Sequence, residues 1–252
     1  MSRFSRRTMI GAGLSAVAGA SGLAIAGKLA RQHGLIPPDS GGLYGPGETL
    51  TYGAQRLLAR HSLAREFPRE AISAAPWANP TDPPDDLFKR HQAAGFANWT
   101  LAVDGLVARP VSLSLAEIKS QPSRSHITML VCEEGWSYIA EWTGVPLSHI
   151  LELAGAKPEA RHVVYFSQQH GWWDSLDMDE ALHPQTLIAH TMNGQSLPVG
   201  HGGPLRMRVP KQLGYKNVKF VARLTVTDDI RKFSKGLGSA SPEFGYSWYA
   251  GI

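Results

Sequence analysis

His126-Ile127-Thr128-Met129-Leu130-Val131-Cys132-Glu133-Glu134-Gly135-Trp136-Ser137 is the stretch from which the rest of the chain can be read. Its first half, His126 to Val131, is apolar and β-branched in the manner of a buried strand. Cys132 closes that strand, and two acids and a glycine follow at once, the composition of a loop leaving a strand end. Upstream, Trp99, Leu101 and Val103 alternate with Thr100, Ala102 and Asp104 as far as Gly105, a second strand pattern. Ser114-Leu115-Ala116-Glu117 has capping-box spacing and predicts a helix to about Ser120. Downstream, Pro146 opens a predicted helix to about Ala154, with Leu147, Ile150 and Leu151 on one face. Further strands are predicted at 163–167, 187–191, 205–209 and 219–227, a helical turn at 179–182, and a hairpin turn at Asn193-Gly194. Short strands broken by short helices, without a βαβ rhythm, predict an α+β fold with mixed sheets rather than a doubly wound one.

The N-terminus reads differently. Ser2-Arg3-Phe4-Ser5-Arg6-Arg7-Thr8-Met9-Ile10 leads into an Ala/Gly-rich apolar run over 10–27, with small residues around Ala24-Ile25-Ala26. That is the three-part pattern of an export signal, and its paired arginines predict the twin-arginine route. A retained membrane helix is the other reading, since 18 residues is just at the lower bound for spanning. The expected organisation is a signal over 1–27, a linker and N-terminal extension over 28–84, and one domain over 85–252. Within the extension, 35–47 is Gly/Pro-rich, 54–66 is a candidate short helix, and 76–84 is a proline-punctuated surface segment.

The 252 residues are 43% hydrophobic and 18% charged, which excludes a disordered or fibrous chain. The formal charge of +4 invites a nucleic-acid partner at face value. Three of the 25 basic residues and none of the 21 acids fall within 1–26, so the remainder carries 22 basic and 21 acidic residues. The surplus is therefore largely that of the signal, and no nucleic-acid partner is expected.

A single cysteine excludes an intramolecular disulfide and any all-cysteine metal cage. Cys132 itself has three readings: a small core hydrophobe, a nucleophile, or a metal ligand. His126 lies on the same strand face by period two and is the candidate base for the second. His201-Gly202-Gly203-Pro204-Leu205-Arg206 is a tight turn delivering Arg206 beside Arg208, a pair suited to phosphate or carboxylate, or else merely solvated. Gly214-Tyr215-Lys216-Asn217-Val218-Lys219 is a second candidate anion turn. His170-Gly171-Trp172-Trp173-Asp174 is either aromatic core or the wall of a small-molecule pocket. No HExxH, G-x-S-x-G or G-x-G-x-x-G motif occurs, which disfavours zinc peptidases, α/β-hydrolases and nicotinamide enzymes.

Together these runs resemble the sulfite oxidase-type molybdopterin domain, in order, over about residues 85–230. Cys132-Glu133-Glu134-Gly135-Trp136-Ser137 with Trp142-Thr143-Gly144-Val145-Pro146-Leu147 matches that family's C-x-E-x-W-S…W-x-G-x-P-L signature. Leu87-Phe88-Lys89-Arg90-His91 resembles its entry segment, Trp99 to Val107 its first strand, and Ser175-Leu176-Asp177…Ala181-Leu182 its S-L-x-x-x-x-A element. Residues 187–198 resemble its N-G hairpin, 201–210 its H-G-x-P-L-R run, and 213–219 its Y-G-Y-K-like run. Two departures stand out: His91 follows Arg90 directly where the family often has Asn, and Leu213 replaces a tyrosine.

The resemblance implies the sulfite oxidase-type fold and a molybdenum-molybdopterin cofactor, with Cys132 as the protein ligand of the metal. It further implies cofactor contacts from Phe88, Arg90, His91, Gln168, His201, Arg206, Asn217, Val218 and Lys219. His170, Trp172, Trp173 and Asp174 are the expected substrate rim. The implied activity is two-electron oxygen-atom transfer in the periplasm, with electrons from a separate haem-containing partner, membrane or soluble. Similarity to bacterial methionine-sulfoxide reductase catalytic subunits favours S-oxide or N-oxide reduction. Sulfite oxidation, a cofactor-free cysteine enzyme, and a binding domain that has lost the metal are the alternatives.

Overall fold

A computed structural model describes residues 25–30, 35–41, 45–79 and 85–252. The expected export signal lies outside the described residues as far as position 24. The described part is α+β, as expected, and contains two five-stranded sheets.

The strands are β1 (Thr100–Gly105), β2 (Val111–Ser114), β3 (Arg124–Val131), β4 (Ser137–Pro146), β5 (His162–Ser167), β6 (Trp173–Asp177), β7 (Leu187–Met192), β8 (Gln195–Ser196), β9 (Arg206–Arg208) and β10 (Val221–Thr227). One sheet runs β2-β1-β10-β5-β6; its β1/β10 pair is parallel and its other pairs antiparallel, so it is mixed. The other runs β3-β4-β7-β8, with β9 also paired to β7, and is antiparallel throughout. The helices are α1 (Gly45–Leu58), α2 (Asp86–Ala93), α3 (Leu115–Ser120), α4 (Leu147–Ala154) and α5 (Met178–Ala181).

Local sequence explains several elements. Ser114 Oγ accepts from the Glu117 amide at 3.2 Å while the Glu117 carboxylate accepts from the Ser114 amide at 2.7 Å, so α3 starts on a complete capping box. In α4, Leu147, Ile150 and Leu151 are buried, and Gly155 ends the helix at φ +67°. Asn193 and Gly194 both have positive φ, and they turn β7 into β8. The main core joins Leu101 and Val103 of β1, Leu224 and Val226 of β10, and the buried face of α4.

Three strands, β2, β4 and β6, were not anticipated, and α1 lies elsewhere than expected. In β4, Tyr138, Ala140, Trp142 and Gly144 are buried and alternate with more exposed Ile139, Glu141 and Thr143. Its apolar face includes a glycine because a Cβ at Gly144 would stand 2.3 Å from the Ile188 carbonyl oxygen on β7. In β6 the buried residues include Asp174, Ser175 and Asp177, so hydropathy carries no strand signal. The helix expected over 54–66 instead begins at Gly45, inside the expected linker, and ends at Leu58. Ion pairs and one aromatic residue dock it: Arg56 meets Asp177 at 2.5 Å and Glu180 at 3.2 Å, and Tyr52 donates its Oη to Asp177 at 2.7 Å while its ring packs edge-on to Trp248 and Tyr249.

Backbone contact at Gly144 gives a test. Gly144→Ala should lower stability by about 1–3 kcal/mol in urea unfolding. Gly47→Ala, whose added Cβ meets nothing within 4 Å, should cause no loss.

Candidate active site

β3 ends at Val131, and Cys132 begins the tight turn to β4, closed by its amide donating to the Trp136 carbonyl at 2.8 Å. Cys132 is 6% exposed and lines a cleft of about 680 Å³, open mouth included, a volume typical of small-molecule sites. The turn at Gly214 packs directly on this corner: a Cβ there would lie 3.2 Å from Cys132 Cα and 3.3 Å from Glu133 Oε2. The sequence-distant turns around 132–136 and 214–217 thus form one wall.

Arg206 brings a buried positive charge to the cleft, and Arg208 lies behind it. Arg206 and Arg208 leave β9 side by side, 5% and 1% exposed, with their guanidinium groups 5.5 and 5.3 Å from the Trp142 ring centroid. Arg208 donates to Asn217 Oδ1, Thr128 Oγ1 and the Met129 carbonyl. Arg206, which reaches the cleft, donates to the His201 carbonyl at 2.9 Å. Neither arginine meets a carboxylate within salt-bridge distance among the described residues, and the Nε of each is buried without a hydrogen-bond partner. Burial, and then the charge of Arg206, push Arg208 down to about 9. Two adjacent buried cations of this kind call for an anion.

Lys219 also lines the cleft, its Nζ donating to the carbonyls of Asn79 and Gly200, each at 2.7 Å. Tyr138 Oη lies 3.2 Å from His201 Nδ1. Burial, then Arg206 and Lys219, lower His201 to about 4, so its ring is neutral at pH 7. Trp77, Trp136, Trp172 and Tyr215 supply aromatic wall.

Cys132, Trp172, Arg206, Asn217 and Lys219 are thus brought to one cleft. Other expected site residues go elsewhere. Asp174 is 1% exposed, paired with Lys216 and accepting from Ser241 at 2.6 Å, so it is not a rim residue. Trp173 packs on Phe166 and Phe233, and His170 is exposed and off the cleft wall. Phe88 is core, edge-on to Trp99 and Phe220; Arg90 is exposed and His91 meets the Trp99 ring. Val218 is 1% exposed within the core, leaving only its backbone for a ligand. Gln169, not Gln168, lines the cleft; the Gln168 amide donates to the Phe220 carbonyl.

His126 Nδ1 pairs with Glu66 at 2.8 Å, six strand residues or about 20 Å from Cys132. Burial, opposed by a backbone hydrogen bond and aided by Glu133, pushes the Cys132 thiol up to about 11. The thiol's carboxylate neighbour is Glu133, to whose Oε2 it donates at 3.5 Å, and the histidine expected as its base is not beside it. Sequence reasoning missed Trp77, Tyr138, Gln169 and Tyr215. Trp136-Ser137-Tyr138 following the cysteine is a signal that could have found Tyr138; Trp77 comes from the distant extension and had none.

Two measurements check these placements. Asp174→Ala should cost about 3–5 kcal/mol by leaving Lys216 buried and unpaired, whereas His170→Ala should stay within about 0.5 kcal/mol. Because His201 binds its proton less readily folded than unfolded, stability should fall as pH drops from 6.5 towards about 4. In His201→Gln, urea midpoints should decline less over that window.

Similarity to known proteins agrees with this geometry. The family model described as the oxidoreductase molybdopterin binding domain matches residues 89–233. A putative protein-methionine-sulfoxide reductase subunit YedZ1 from Azospira oryzae is 37% identical over 167 residues, 66% of this chain and 60% of that protein. The protein-methionine-sulfoxide reductase catalytic subunit MsrP of Gluconobacter oxydans is 33% identical over 147 residues, 52% of this chain and 47% of its own length. The chain therefore spans about half to three-fifths of the curated relatives it matches. Among solved structures, the sulfane dehydrogenase SoxCD from Paracoccus pantotrophus shares the fold, with a TM-score of 0.52 at 21% identity over 71% of this chain and 49% of that one. A molybdopterin family match over more than half of the chain, centred on the Cys132 cleft, places this protein in the sulfite oxidase-type oxidoreductase molybdopterin-binding domain family.

Proposed function

We propose that this protein is a periplasmic molybdenum-molybdopterin enzyme that reduces an organic S-oxide or N-oxide, with electrons from a separate haem-containing partner. The observation that carries the reading is a buried thiol opening into a cleft that Arg206 also lines, with Arg208 buried beside it and neither arginine in a salt bridge among the described residues. These residues fit the cofactor: a soft sulfur ligand for the metal, and unspent guanidinium N–H for an anionic phosphate or pterin oxygen. Relatives named as methionine-sulfoxide reductases support the substrate class. The Arg6-Arg7 signal supports twin-arginine export of a folded, loaded protein. Residues 28–84 serve as the extension and 85–252 as the cofactor domain.

When bound, the cofactor supplies two-electron oxygen-atom transfer at its metal. The chain's own residues hold and shape. Cys132 presents its sulfur from a rigid strand end, and metal binding would deprotonate the thiol despite its raised pKa. Arg206 and Lys219 hold the cofactor's anionic end, while Asn217 holds Arg208 and the Val209 amide through one oxygen. His201, neutral and hydrogen-bonded to Tyr138, presents a ring nitrogen rather than a charge to the pterin. Reduction of R2S=O to R2S and water takes two electrons and two protons. Trp77, Trp136, Trp172 and Tyr215 line the approach with apolar faces and limit water. That aromatic approach, with Glu133 also on the wall, suits a neutral organic oxide better than the sulfite anion.

Purified loaded enzyme should oxidise reduced viologen with a methyl aryl sulfoxide or methionine sulfoxide, and should show no sulfite-dependent reduction of ferricyanide. The reverse pattern would replace this reading with sulfite oxidation. Cys132→Ala should reduce turnover to background while keeping its far-UV circular dichroism; full turnover in that variant would remove the ligand role.

A further inference from the structure

Residues 73–79 form an arm that is held at both ends. At the first, the Ser73 amide donates to the Ile139 carbonyl at 2.9 Å, and Ser73 Oγ accepts from the Ile139 amide at 3.0 Å. Just before it, Arg69 forks onto the Glu141 carboxylate at 2.8 and 2.9 Å. At the second, the Asn79 carbonyl accepts from Lys219 Nζ at 2.7 Å. The arm is therefore fixed to β4, the strand that follows the Cys132 turn, and to Lys219, itself a cleft residue. Between the two clamps the sequence is Ala74-Ala75-Pro76-Trp77-Ala78, one large side chain among small ones. Pro76 fixes its own φ and restricts Ala75, which stiffens the approach to Trp77.

Trp77 lines the cleft and is still 62% exposed. The other three aromatic residues that line the approach are each backed by a second ring. Trp136 lies on Tyr138 with centroids 6.0 Å apart, Trp172 on Phe244 at 5.8 Å, and Tyr215 on Tyr246 at 5.0 Å. Trp77 has no ring against it among the described residues and belongs to no core cluster. A single exposed aromatic residue on an open surface needs no explanation. On the wall of a cleft, on a backbone clamped at both ends, it is an apolar face without an occupant. An indole offers a large contact area with only two side-chain torsions to fix. Another ring laid on it gains from an offset stack or an edge contact.

We propose that Trp77 is the specificity-determining residue of this cleft: its ring covers the apolar substituent of the organic oxide and selects aryl and long-alkyl sulfoxides over dimethyl sulfoxide. This rests on the S-oxide reading above and adds to it the residue that ranks substrates. Trp77 takes no part in bond breaking. Its contact is the same before and during oxygen transfer, so it acts on KM rather than on kcat.

The test uses the full chain carrying the cofactor, with reduced viologen as donor and methyl phenyl sulfoxide or dimethyl sulfoxide as acceptor. Trp77→Ala should raise KM for methyl phenyl sulfoxide about three- to tenfold, the range of one aromatic contact, and leave kcat within about twofold. Its KM for dimethyl sulfoxide should stay within about twofold. Trp77→Phe, which keeps a ring, should recover most of the loss. Calorimetric titration of methyl phenyl sulfoxide without any donor should show the same weakening in Trp77→Ala, a readout that needs no turnover. The exposed position leaves folding little changed, which thermal melting checks. An unchanged KM for methyl phenyl sulfoxide, or equal losses for both oxides, would overturn the assignment. An unsubstituted enzyme that reduces neither oxide would overturn the S-oxide reading, and this proposal with it.

Discussion

Two positive charges buried next to each other set the terms for this structure. Arg206 and Arg208 are the two ends of a three-residue strand, and residues two apart on a strand point to the same face. Here both guanidinium groups lie over the Trp142 ring, and both have lost water. An ionised side chain taken out of water costs several kcal/mol unless it is paired. The fold meets part of that cost with carbonyls, Thr128, Asn217 and the face of an indole. It leaves both Nε atoms buried without a hydrogen-bond partner among the described residues. Trp142 can serve both arginines because Gly144 lets β4 lie close against β7, which in turn carries β9. The middle of the second sheet is thus arranged around an anion that the polypeptide does not supply.

A second buried network fixes the opposite wall. Lys216 donates to Asp174, the Ser175 carbonyl and the Trp248 carbonyl, and Asp174 also accepts from Ser241. It ties the 214–217 turn to β6 and to the C-terminal segment, so Tyr215 and Asn217 enter the cleft from a rigid base. The Arg56 cluster does the same for α1. Buried ion pairs thus fasten two parts of the interior, at Arg56 and at Lys216.

Much of this was legible in the sequence wherever the signal is local. The capping box at Ser114, the Pro146 start of α4, the Asn193-Gly194 turn and the cysteine at a strand end all occur as read. Arg206 was recognisable from the glycine-proline turn before it, and Lys219 from the Gly214 to Lys219 run read as a second anion turn. The failures share one cause. β6, α1 and the role of Asp174 depend on ion pairs and a tyrosine hydrogen bond between residues 42 to 125 positions apart, which no window of sequence displays. Trp77 joins the cleft only because the extension crosses it, with Ser73 bonded to Ile139. Residues carried over by resemblance fared unevenly for the same reason: Val218, Phe88 and His91 match a motif, yet their side chains serve the core beside the cleft.

The central claim is that the cleft holds a molybdenum-pterin group anchored by the Cys132 sulfur and the buried arginines. The most direct measurement is molybdenum and pterin content of the chain purified from a molybdenum-competent host. The account predicts about one metal and one pterin per chain. Folded, homogeneous protein carrying neither would contradict it.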